Sequence, residues 1–290
     1  MKKKWIGQSL VLLILLCSIT SCGEKKGVSQ VAEELTETNG PSSTENNSML
    51  EEANSISMEK LLLSTKEPLG ATLYVWGGGW NEADDGAGKE AVTIGVSPAW
   101  KAFFDKNDAS YDYHNTKYQI HDGLDCSGYV GWVIYNTFET ESGKPGYVMS
   151  STDMAKSFSE KGWGSFTEAS SVSDWKPGDI MSMKGHVWIA LGTCEDQSVL
   201  LIHASPPGVR ICGTLNEDGS ESMAVELART YTRKYYKEWD ERYPVYGVSR
   251  DYLVKSSQMR WKEETFPDAK KFQSMKPEEI LEWMFEKNKR

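Results

Sequence analysis

The apolar and polar positions of the chain fall into three zones. Lys2, Lys3 and Lys4 precede a run over 5–16 that is apolar apart from Gly7, Gln8 and Ser9. A charged start followed by an apolar block shorter than a membrane span has the order of a targeting segment. Residues 23 to about 50 are mostly Glu, Lys, Ser, Thr, Asn and Gly, the composition of a flexible tether. Patterned sequence then begins near Met49. Leu50, Met58, Leu61 and Leu62 form the inner stripe of a first helix, which Pro68-Leu69-Gly70 stops. Tyr74-Val75-Trp76 reads as a short strand entering Gly77-Gly78-Gly79, a turn where backbone can approach backbone closely.

Residues 80–124 show no period and are rich in Asp, Asn, Gly and Tyr. So long a connection is read as a lid, a substrate wall or padding over the sheet edge, built around Trp80, Trp100, Tyr111, Tyr113 and Tyr118. A buried helix is predicted over 126–138 and a polar one over 152–161. Trp175-Lys176-Pro177-Gly178-Asp179 is a tight turn entering a strand. Runs at 186–191, 199–203 and 209–212, separated by Gly192–Ser198 residues and by Ser205-Pro206-Pro207-Gly208, predict an antiparallel meander. Beyond 222 the chain turns helical and aromatic, with Tyr231, Tyr235, Tyr236, Trp239 and Tyr243. A charged segment, 253–290, ends in a predicted helix over 277–288, where Pro277, Glu278 and Glu279 suit a helix start.

With 39% hydrophobic and 11% aromatic residues in 290, the patterned part can build a globular core. The net charge of −10 argues against a nucleic-acid partner, since no basic surface stands out. Ile19-Thr20-Ser21-Cys22 resembles the lipobox of bacterial lipoproteins. That resemblance implies a diacylated Cys22 as the mature N-terminus and an extracytoplasmic, lipid-anchored protein; the other reading is a secretory signal cut near Ser21. Cys17 then leaves with the signal, and Cys126, Cys194 and Cys212 remain. Cys194 and Cys212 are read either as a disulfide across neighbouring strands or as two buried free thiols.

Asp125-Cys126-Ser127-Gly128 runs directly into the predicted helix. A thiol at a helix start faces unpaired N–H groups and the positive end of the macrodipole, which favours thiolate and makes a nucleophile. The other fate of such a residue is a small buried core cysteine. A nucleophilic cysteine needs a base and a group that orients the base. Of the four histidines, His114 and His121 lie in the inserted stretch and read as solvated or packing residues. His186 opens one predicted strand and His203 closes the next, so both imidazoles are expected on the sheet face that meets the Cys126 helix. There His186 takes the thiol proton and His203 accepts from its far ring nitrogen. A zinc site of Cys126, His186 and His203 is a weaker alternative, because the isolated cysteine lacks a close-spaced partner. For Asp125 the plain role is helix capping.

Taken in order, these motifs resemble the NlpC-type cell-wall endopeptidases, a bacterial branch of the papain-like cysteine peptidases. The residues that carry the resemblance are Tyr74-Val75-Trp76-Gly77-Gly78, Asp125-Cys126-Ser127-Gly128-Tyr129-Val130, Lys176-Pro177-Gly178-Asp179-Ile180, Gly185-His186-Val187, and His203-Ala204-Ser205. The likeness covers about residues 55–213. It implies an α+β, papain-like fold with a nucleophile helix packed on a central antiparallel sheet, to which this chain adds a long inserted loop and a helical C-terminal extension. Together with the composition along the chain, this gives signal 1–21, tether 22–49, catalytic domain 50–252 with insertion 80–124, and charged extension 253–290. The implied activity is hydrolysis of peptidoglycan stem peptides at the bond from γ-D-glutamate to diaminopimelate or lysine, with no cofactor or metal and a monomeric state. Cys126 carries over as nucleophile, His186 as base and His203 as the orienting residue, while Tyr74, Asp125 and Ser127 match substrate-lining positions. A non-catalytic wall-binding lipoprotein and an acyl transferase with the same site are the competing functions. The insertion and the region after 222 depart from the family pattern.

Overall fold

The structure, a computed structural model, describes residues 55–115 and 119–288. The signal segment, Cys22, the tether, Leu50 and Tyr118 lie outside the described residues. The α+β chain runs through helices α1 (Met58–Lys66), α2 (Pro98–Lys106), α3 (Cys126–Phe138) and α4 (Met154–Glu160). Strands β1 (Gly164–Thr167), β2 (Ile180–Met183), β3 (His186–Thr193), β4 (Val199–Ser205) and β5 (Gly208–Thr214) follow. The chain then forms α5 (Met223–Tyr235), α6 (Lys237–Arg242), β6 (Gly247–Val248), α7 (Asp251–Lys255), β7 (Ser257–Trp261) and α8 (Pro277–Glu282), which continues as a π-helical turn over Trp283–Lys287.

The strands form one seven-stranded mixed sheet in the order β1-β7-β2-β3-β4-β5-β6, in which only the β5–β6 pairing is parallel. Strands β2 to β5 make the predicted antiparallel meander. They are apolar almost throughout because both faces are covered. Val187, Ile189, Leu191, Leu200, Ile202, Ala204, Val209 and Ile211 share a core with α3 and α1. The opposite face carries Met181, Trp188, Ala190, Leu201 and Cys212, under Leu253 and Tyr252 of α7. Helix α3 is apolar all round and is buried along nearly its whole length, as such a helix must be.

Two expectations are corrected here. The stretch 80–124 is not irregular throughout: Ser97 caps α2, Pro98 occupies its first turn, and Trp100, Phe103 and Phe104 face inward. Trp100 meets Trp132 of α3 edge-on at 5.7 Å, and Phe104 stacks on Trp239 at 5.7 Å. The segment 253–290 is not an appended extension either, so the boundary at 252 falls inside the fold. Strand β7 sits between β1 and β2 and pairs with both. Its Arg260, one of the charges of that segment, donates to the buried Asp179 at 2.7 Å and 3.0 Å. Cys194 and Cys212 are buried free thiols, which settles the choice between bridge and thiols.

Candidate active site

Two backbone features fix the start of α3. Asp125 is its N-cap, and the carboxylate accepts from the Gly128 N–H at 2.7 Å and the Ser127 hydroxyl at 2.8 Å. The glycine turn lies directly against it. The Asp125 N–H donates to the Gly78 carbonyl at 2.9 Å, and a Cβ on Gly128 would stand 1.9 Å from that same oxygen. Strand-like Tyr74 and Leu124 are bridged in parallel beside it. The predicted close approach of backbone to backbone is thus what seats the cysteine helix.

Cys126 occupies the first helical position, 7% exposed. Among the described residues no hydrogen bond uses its backbone N–H, which is one of the donors a helix start leaves unpaired. The sulfur faces the Val187 N–H, at the beginning of β3, and the Ser151 hydroxyl. Tyr74 is 7% exposed, its ring edge-on to Tyr113 at 5.2 Å, and its carbonyl accepts from the Tyr111 hydroxyl at 2.6 Å. Burial, then the neighbouring Cys126 and Asp125, raise the Tyr74 phenol. Two aromatics of the inserted stretch therefore wall the site next to Tyr74.

His186 Nε2 and His203 Nδ1 are 3.0 Å apart, so the two imidazoles are joined as expected. Their position differs from expectation. Side chains alternate along a strand, and Val187, Ile202 and Ala204 take the face toward α3. His186 and His203 share the other face, with Tyr252 packed on both rings at 5.3 Å and 5.8 Å. Cys126 approaches β3 through the backbone of Val187, the residue after His186. Among the described residues no hydrogen bond joins the sulfur to His186.

The electrostatics also differ from the helix-field expectation. Burial, reinforced by Asp125, pushes the Cys126 thiol up to about 12, outweighing the N–H groups that would lower it. Burial, with the Arg210 charge behind it, pushes His186 down to about 4, and His203 lies well below the ordinary imidazole value for the same reasons plus His186 itself. The resting pair is a thiol beside a neutral imidazole, not a thiolate–imidazolium pair. Asp125, raised to about 6 chiefly by burial, and Ser127, which accepts from Trp80 Nε1 at 3.0 Å, spend their polar atoms inside the fold. Their displayed role is to build the helix start. Of the other histidines, His121 bonds Glu90 at 2.8 Å and His114 bonds Asp112 at 2.7 Å on the surface. Among the described residues no three His, Cys, Asp or Glu side chains come together to hold a metal ion.

Three site neighbours escaped the sequence reading: Ser151, Arg210 and Tyr252. Arg210 had a signal, a lone charge inside the apolar run of β5. The others had none, because each reaches the corner from a segment without a pattern of its own. Compared with family models, curated proteins and solved structures, the chain matches none.

Proposed function

We propose that this chain is a cysteine peptidase of the NlpC type, with a papain-like arrangement of helix and sheet, that hydrolyses peptidoglycan stem peptides. The observation that supports this best is a cysteine at the first position of a buried helix, its N–H free, beside the strand start that carries the His186–His203 pair. In this reading His186 takes the thiol proton as the sulfur attacks the scissile carbonyl. The Cys126 N–H stabilises the oxyanion, and the imidazolium returns the proton to the leaving amine. Water then enters, His186 accepts its proton, and hydrolysis of the thioester frees the sulfur. His203 holds the ring in orientation throughout. The sulfur–imidazole contact forms when substrate is bound, since catalytic hydrogen bonds often tighten only in that complex. The lipidated Cys22 and the tether would hold the domain outside the cytoplasm within reach of the wall.

The neutral, buried thiol and the missing sulfur–imidazole bond favour a second reading, a wall-binding lipoprotein without catalysis. Incubating the full chain with defined muropeptides and reading products by mass spectrometry separates the two. The peptidase reading expects cleavage between γ-D-glutamate and the third residue, abolished by Cys126→Ala. Binding without cleavage, or undiminished cleavage by Cys126→Ala, rejects it.

A further inference from the structure

Arg210 is 5% exposed and lies directly across from His203 in the β4–β5 register. Its Nη1 donates to the carbonyls of Ser205, of Pro206 at 2.7 Å and of Gly208 at 3.4 Å, which fixes the guanidinium at the β4–β5 turn. Those are neutral partners. Among the described residues no carboxylate pairs with it, and its Nε is buried without a partner, as is His203 Nε2 on the facing strand. An unpaired buried cation costs stability, and its field is weakly screened inside the protein. Around the imidazole pair stand Arg210 and Cys212 from β5, Tyr252 from α7 and Cys126 from α3. Cys126, Cys212 and Tyr252 are all raised by burial and stay protonated at neutral pH, which leaves Arg210 as the charged member.

We propose that Arg210 is a positioning residue that sets the charge state of the imidazole pair: its guanidinium, anchored opposite His203, keeps His186 and His203 uncharged in the resting protein. The consequence for cleavage rests on the peptidase reading; the charge state itself does not. The direction follows from the geometry. A fixed positive charge disfavours a second one nearby, so its removal must move imidazole protonation to higher pH.

Histidine ring NMR of the full chain, with His114 and His121 assigned by replacing each with Gln, reads this across the acid range. In the wild type the His186 midpoint is expected at about 4. Arg210→Gln is expected to raise that midpoint by about one unit, tenfold more imidazolium at a given pH, and Arg210→Lys to hold it within about 0.3 unit. A purely structural role would make both variants behave alike. An unmoved midpoint in an Arg210→Gln protein that unfolds like the wild type overturns the proposal. Should that variant not fold, a folded Arg210→Lys whose midpoint rises by about one unit overturns it equally. If the titrations behave as expected while no muropeptide is cut, the peptidase reading fails and the role of Arg210 stands.

Discussion

The two faces of the sheet are made from the same strands and differ in almost everything else. Toward α3, β3 to β5 present Val187, Ile189, Leu191, Leu200, Ile202, Ala204, Val209 and Ile211, an uninterrupted apolar surface. On the opposite face, His186, His203 and Arg210 interrupt the apolar residues, and Tyr252 covers the two imidazoles. One face supplies cohesion, and the other accepts buried polar groups whose solvation has been lost. Cys126 packs with the apolar face, but as the first residue of α3 it reaches the beginning of β3, where the two faces meet. A site at such an edge can draw a thiol from one layer and imidazoles from the other.

The contrast breaks most sharply at His186. His186→Ala is expected to lower kcat/KM for muropeptide cleavage by about 10²–10⁴-fold with little change in thermal unfolding. A small rate loss would move the base elsewhere. Ile202→Ala, on the apolar face and fully buried, should cost about 2–5 kcal/mol in chemical denaturation while leaving the rate per folded molecule near wild type. If the rate fell in step with His186→Ala, the division of labour between the faces would be wrong.

Much of the core was legible in the sequence: α1 from its apolar spacing, α3 from Asp125 ahead of an apolar run, the meander from apolar runs between Gly and Pro turns, and the start of α8 from Pro277. The glycine turn against α3 was legible for a steric reason, since Gly78, Gly79 and Gly128 leave no room for a Cβ. The face of the histidines was misjudged although alternation alone decides it: Val187 and Ile202 belong to the α3 core, so His186 and His203 cannot. Helix α2 was lost because its nine residues lie among Asp, Asn and Gly, although Ser97-Pro98 marks its start. Strand β7 was hidden by charge: Arg260 finds its counter-ion in Asp179, far away in sequence. The thiol's protonation was misjudged because a helix start says nothing of burial, and burial dominates here. Tyr252 and Ser151 depend on tertiary placement alone.

The central claim is that the Cys126 sulfur attacks the peptide carbonyl and carries an acyl group. Quenching the full chain with acid during turnover of a muropeptide and measuring its intact and peptide-mapped mass tests this directly. The account predicts a stem-peptide acyl adduct on the peptide containing Cys126, lost on treatment with hydroxylamine. Product formation with no adduct there, or an adduct on another residue, would contradict it.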